Sequence, residues 1–242
     1  MFLHRIATAS KRPNWTAICI EFGLVIFGVL TALQVNNWNA SRIDKQGAAN
    51  TLSRLRSEVL VNVAALDERM TILEESSDVR SAAMTALQTC DASPEAAELL
   101  GNAGGSLTGD IIPSFVDNTL LELARRDRYL DFLSNDFRAA LNVYSGRLSD
   151  ERDQLRINFG LMWDQHVVKH SSTGVDITKA DFSTLRFVFS QPLDTLCEDS
   201  VFRRQFVMTE IWHQSAMLRM QRFKGWNEEF LAAIDAELDV FG

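Results

Sequence analysis

Between Trp15 and Trp38 the chain is almost wholly apolar: over 18–35 only Glu21, Thr31 and Gln34 interrupt the run. No other feature constrains the fold as strongly. The two tryptophans lie 23 residues apart, which as α-helix is roughly 34 Å, close to a bilayer core plus its interfaces. Indole rings favour that interface, so Trp15 and Trp38 read as anchors at the two ends of one transmembrane helix, residues 15–38. A cleavable signal peptide is the competing reading. It needs an apolar core of about 7–15 residues and a small-x-small cleavage site. The span here is longer, carries Glu21 and ends in Gln34-Val35-Asn36-Asn37-Trp38, so an uncleaved signal anchor fits better.

Charge around the span sets an orientation. Arg5, Lys11 and Arg12 precede it with no acidic residue, whereas Arg42 and Lys45 follow it, partly offset by Asp44. The positive-inside rule then puts residues 1–14 in the cytoplasm and residues 39–242 outside it. This implies a single-pass protein of the inner (cytoplasmic) membrane with a periplasmic domain. Setting aside Arg5, Lys11, Arg12 and Glu21 leaves 21 basic and 31 acidic residues, a net charge of −10 over 39–242. That sign argues against nucleic acid and against anionic lipid surfaces as partners of the domain. With 204 residues it is long enough to bury its own core.

The domain reads as all-α. Four prolines and two tyrosines in the whole chain, among many Leu, Ala, Arg and Glu, favour helix over sheet. Over 40–88 there is no proline, and apolar residues return in steps of three and four: Leu52, Leu55, Val59, Val63, Leu66, Met70 and Leu73. The transmembrane helix is therefore expected to run on with little interruption. Ser93-Pro94 starts a short helix to about residue 100, after which Gly101, Gly104, Gly105 and Gly109 suggest a flexible loop. These glycines lack the preceding strand and following lysine of a phosphate-binding loop.

Short helical elements follow over 114–127 and 128–133. Ser134 then caps a long helix to about residue 170, with a seam of Phe137, Leu141, Tyr144, Leu148, Leu155 and Met162. Residues 171–200 form an irregular connection; its patch Leu185-Arg186-Phe187-Val188-Phe189 reads as a loop, since a lone strand has nothing to pair with. A final helix spans about 200–238, with a seam of Phe202, Phe206, Thr209, His213, Ala216, Met220, Phe223, Asn227, Phe230 and Ile234. The expected architecture is an elongated, antiparallel, four-helix-like bundle with long first and last helices, rising from the membrane.

Several segments carry a resemblance. Asn14-Trp15-Thr16-Ala17-Ile18, the acidic Glu21, and Leu33-Gln34-Val35-Asn36-Asn37-Trp38-Asn39 at the exit resemble a family of single-span bacterial membrane proteins of uncharacterised function, marked by a QVxNWN exit motif. Leu121-Glu122-Leu123 and Asp136-Phe137-Arg138-Ala139-Ala140-Leu141 through Tyr144 resemble that family's short helix followed by ELRxxLxxYY, although Ser145 stands where the second tyrosine would be. The resemblance implies fold and location, with no activity to carry over.

Few residues suggest chemistry. Glu21 lies inside the apolar span, where a carboxylate costs several kcal/mol unless it pairs, protonates or reaches the interface. It either snorkels toward headgroups or Arg12, or contacts a partner helix. Ala17, Glu21, Leu24, Gly28, Ala32 and Val35 share one helical face, and Gly28-x-x-x-Ala32 permits close approach. His166 and His170 are four apart, a spacing that metals use, but two histidines are half a structural site; exposed or capping histidines near a helix C-terminus are the better reading. His213, Met217 and Met220 lie on one side of the last helix, where core packing outweighs a copper site. His213 is expected to join Thr209 and Asn227 in a buried polar layer. Cys90 and Cys197 are the only cysteines outside the span, both expected at the membrane-distal end, so they can bridge only each other in an oxidising compartment.

No nucleophile–histidine pair or carboxylate pair emerges, so no enzyme, cofactor or metal is expected. The leading expectation is a structural or interaction protein in the lipid bilayer, a homo-oligomer or a subunit of a membrane complex. The alternative is a periplasmic sensor or binding module for a small ligand or metal. Such sensors usually signal through a second span to a cytoplasmic output domain, and neither is seen here.

Overall fold

In a computed structural model the described residues are 15–106, 113–125, 127–175 and 187–241. Helix α1 runs from Trp15 to Glu75, 61 residues without a break. It is followed by α2 (Ser77–Thr89), α3 (Pro94–Ser106), α4 (Asn118–Arg125), the single turn α5 (Asp127–Leu130) and α6 (Asn135–Asp164). A 3₁₀ turn (Val167–Lys169), strands β1 (Thr173–Val175) and β2 (Phe187–Phe189), α7 (Leu193–Glu198) and α8 (Ser200–Phe241) complete the order. The fold is all-α, with long first and last helices.

Ion pairs define the helix directions. Arg56 on α1 meets Asp235 on α8 at 2.6 Å, Asp67 meets Lys224 at 2.7 Å, and Arg80 on α2 meets Glu210 at 2.7 Å. Partners rise along α1 and α2 as they fall along α8, so α8 is antiparallel to both. Helix α6 is also antiparallel to α8: Ser134 faces Glu237, Tyr144 faces Asn227, and Glu151 faces Arg219. The 113–130 region descends α1, from Val116 opposite Asn62 through Glu122 opposite Arg54 to Arg128 opposite Asp44. Gly47 lets this segment close on α1, because a Cβ there would stand 2.7 Å from the Tyr129 hydroxyl oxygen.

Two separate hydrophobic clusters form the interior. The bundle core takes Leu52, Leu55, Val59 and Leu66 from α1, Leu120 and Leu123 from α4, Phe137, Leu141 and Leu148 from α6, and Phe223, Phe230 and Ile234 from α8. The distal cap takes Ala83 and Leu87 from α2, Ala96 and Leu100 from α3, Phe187 from β2, Leu196 from α7, and Phe202 and Phe206 from α8. Each Leu or Phe fully removed from water contributes about 1.5–3 kcal/mol. All the expected seam positions of α6 and α8 are buried.

Five details differ from the sequence reading. The expected run to residue 88 is broken once, at Ser76, whose hydroxyl donates to the Ile72 and Leu73 carbonyls and competes with the helical ladder. On the α1 seam Asn62 is buried and Val63 only partly, because the Asn62 amide exchanges two hydrogen bonds with the Val116 backbone (3.0 and 2.8 Å). Gly101, Gly104 and Gly105 belong to helix α3 rather than to a loop; Gly109 lies outside the described residues. The helix continues because Leu100 and Ala103 are buried and Gly104 lies under the Phe187 ring, where no Cβ fits. The patch around residue 187 is not a loop: β2 pairs antiparallel with β1, Thr173 opposite Phe189 and Val175 opposite Phe187. Its partner comes from the other end of the same connection. Finally, α6 stops at Asp164, six residues short of the expected end.

Candidate functional site

Three places in the fold hold the residues singled out above. The first is the lower half of α1. Among the described residues it is the one helical stretch long and apolar enough to cross a membrane, and the domain covers none of it. Trp15 and Trp38 are about two-thirds exposed at its ends. Glu21, Leu24, Gly28, Ala32 and Val35 are all exposed on this helix, which also carries Ala17, and nothing stands within 4 Å of a Cβ at Gly28. Arg42 lies over the Trp38 ring at 5.8 Å, a cation beside the exit tryptophan.

The second place is the distal cap. Cys90 and Cys197 form a disulfide with Cα atoms 5.5 Å apart and a sequence separation of 107. Cys90 ends α2 in the left-handed conformation (φ 52°), its N–H bonded to the Ala86 carbonyl. Cys197 is buried in α7. The histidines the sequence paired are also here, but not on one helix face. His166 follows the end of α6 and caps the 3₁₀ turn, its Nδ1 accepting the Val168 N–H at 3.0 Å. His170 closes that turn; its Nε2 meets Asp199 Oδ2 at 3.1 Å and its Nδ1 accepts the Ser172 N–H. Asp199 in turn accepts the Phe202 and Val201 N–H groups at the start of α8, and these bonds hold its pKa below the usual carboxylate range. Both histidines are buried, so of the two alternatives, exposed or capping, the structure shows the second. Their roles here are caps and braces. Among the described residues no three His, Cys, Asp or Glu side chains come together as a metal set.

The third place is the interior polar groups, which form two layers where the sequence suggested one. In the bundle, the Tyr144 hydroxyl donates to Asn227 Oδ1 at 2.9 Å and Asn227 Nδ2 donates to the Phe223 carbonyl at 2.7 Å. Burial pushes the Tyr144 pKa up to about 12. The other layer lies between the two cores. His213 Nδ1 donates to the Thr209 carbonyl at 2.8 Å, which leaves Nε2 as a buried acceptor with no hydrogen-bond partner among the described residues. Burial, with smaller contributions from Arg80 and His166, holds its pKa down to about 4. Beside it Glu210 accepts from Arg80 at 2.7 Å and from Gln214 at 3.1 Å. A groove of about 360 Å³ opens here, lined by Arg80, Glu210, His213 and Met217 among others; Met220, by contrast, is wholly buried in the bundle core.

Sequence reasoning missed Glu237 and Asn62. Glu237 accepts the Ser134 N–H at 2.8 Å and the Ser134 hydroxyl at 2.6 Å, while Ser134 Oγ caps α6 at the Phe137 N–H. Glu237 does extend the apolar spacing of α8 by one step beyond Ile234, which is the signal that could have found it. Asn62 likewise falls in step between Val59 and Leu66, but Val63 fits the same spacing and is apolar, which hid it. No protein-family model, no curated protein and no solved structure matches this chain.

Proposed function

We propose that the chain is a single-pass protein of the inner membrane, a structural or interaction protein and not an enzyme. Its N-terminus lies in the cytoplasm and its helical domain in the periplasm, where it associates with itself or with a membrane complex. One observation carries the reading. Helix α1 is continuous from a fully exposed apolar segment bounded by tryptophans into the bundle core, so the span and the domain's core share one unbroken helix. The disulfide in the cap supports an oxidising compartment. Membership of the QVxNWN family of bacterial membrane proteins is part of the same proposal.

Blue-native electrophoresis of gently solubilised membranes tests it, together with alkaline extraction and protease protection in spheroplasts. The expected result is a membrane-retained protein, cleaved from the periplasmic side, in a discrete complex. Release by alkaline extraction would end the anchor reading. A second reading, a binding module, rests on the groove beside His213; a monomer whose stability or mobility responds to an added small ligand or metal would favour it.

A further inference from the structure

We infer that α1 pairs in parallel with α1 of a second copy, along one face continuous from the membrane to the middle of the bundle. The inference rests on the anchor reading above and names its partner. Gly28 and Ala64 are 36 residues apart, about ten whole turns, so they share an azimuth on the unbroken helix; Gly28 and buried Leu55 are about seven and a half turns apart and point opposite ways. The membrane face of Glu21, Gly28 and Ala32 therefore lies on the back of α1, away from the body of the domain.

Above the membrane that back face continues in steps of three and four: Asn39, Ile43, Gln46, Asn50, Ser53, Ser57, Leu60 and Ala64, all exposed. The step matches a two-helix seam. It is also free of charge, in a chain of which 23% of the residues are charged. A parallel two-fold axis sets each seam residue against its own copy, so a self-pairing seam has to exclude like charges. The rest of the domain, net negative, repels a second copy. Ser53 and Ser57 donate their hydroxyls to their own helix, at Ala49 and Ser53 carbonyls, both 3.1 Å. They therefore present small side chains that need no outside partner. Asn50 and Asn39 are residues that fix register when they meet across a parallel seam. A cleft of about 430 Å³ beside Ser53, Ser57 and Val61, with Arg54 and Glu58 on its far side toward α4, borders the seam.

Glu21 is the independent observation. It is a carboxylate in the apolar span, seven residues below Gly28 on the same face, exposed and uncovered by its own domain. Close pairing of two α1 helices at Gly28 and Ala32 would bring the two Glu21 side chains within reach of each other, a polar partner that the domain does not supply.

The test is oxidative crosslinking of the full chain in native membranes, in a Cys19→Ser background. Ser53→Cys and Ser57→Cys should give a reductant-sensitive dimer several-fold more readily than Ile211→Cys, an exposed control on α8. Gly28→Leu added to Ser57→Cys should lower that yield several-fold. Crosslinking at Ser53 and Ser57 no greater than at Ile211 would overturn the inference. So would a crosslinked product whose mass shows a different protein. Either result alongside a discrete blue-native complex leaves the interaction reading standing and removes only the self-pairing seam; release by alkaline extraction removes both.

Discussion

The bundle and the cap solve the same problem by different means. The bundle core joins three long helices and a short one through Leu and Phe side chains, among them Leu52, Phe137, Phe223 and Phe230. Stacked rings such as Tyr144 on Phe230, 4.1 Å between centroids, tighten it. The cap packs short helices and a two-stranded ribbon against the start of α8, mixing alanines such as Ala83, Ala86, Ala96 and Ala103 with the buried rings of Phe187, Phe202 and Phe206. Short helices bring little apolar area each and are marginal alone. The covalent link between Cys90 and Cys197 sits in the region built from short elements. Long seams hold themselves; a patchwork of short elements is held by a staple.

The sharpest way to break that comparison is to remove the staple. Cys197→Ser, or reduction of the native bond, should destabilise the cap by up to about 4–5 kcal/mol, the chain-entropy value for a closed loop of this size. Hydrogen exchange should then speed up in α2, α3 and α7 while the α6–α8 seam keeps its protection. Equal loss of protection in both regions would show that bundle and cap are a single cooperative unit.

The next effect is at the boundary between the regions. His213 is held neutral in the folded protein, with its pKa near 4 instead of 6.5. Its unfolded form takes up a proton below pH 6.5, whereas the folded form does so only near 4. Stability from this group is therefore whole above pH 6.5 and is lost progressively between 6.5 and 4, by about 3 kcal/mol in all. His213→Met, which keeps the volume and removes the proton, should flatten this part of the pH profile. The difference in denaturation midpoint between the two proteins at pH 7 and pH 4.5 is the measurement. Identical pH slopes would mean that the layer between the cores is open to water.

The two regions were also unequally legible in the sequence. In the bundle, apolar residues at three and four residue steps alternate with charged ones, so the seams named for α6 and α8 could be read from spacing, which passed over only the buried carboxylates Glu151 and Glu237. The exposed apolar stretch of α1 was legible for a similar reason, since length and composition suffice to mark it. The cap resisted because its elements are shorter than the period that identifies them. Residues Phe187 to Phe189 form a strand only because Thr173 to Val175 lie beside them, a pairing no local pattern encodes. Gly104 is helical because the Phe187 ring lies where a Cβ would be, a fact of packing. His166 and His170 looked like one helix face only as long as α6 was assumed to reach them. No Gly or Pro marks its end at Asp164, which is set instead by the 3₁₀ turn that His166 caps.

The smallest effect concerns the end of the bundle nearest the apolar span, where no disulfide helps. There Ser134 starts α6 and Glu237, near the end of α8, grips it through two hydrogen bonds. Ser134→Ala removes the acceptor for the Phe137 N–H and the donor to Glu237 Oε2, and leaves the Ser134 backbone bond to Glu237 Oε1 in place. A lost N-cap alone costs about 1 kcal/mol. The buried carboxylate left short of one partner adds to that, for a total of about 2 kcal/mol. Ser134→Thr keeps both functions and should cost much less. Because the cap lies at the far end of the molecule, its hydrogen-exchange protection should be unchanged by either substitution, whereas amides in the first turns of α6 should exchange faster in the alanine variant. If Ser134→Ala instead loosens α2 and α3, the long helices transmit strain end to end, and the division into two separately held regions is wrong.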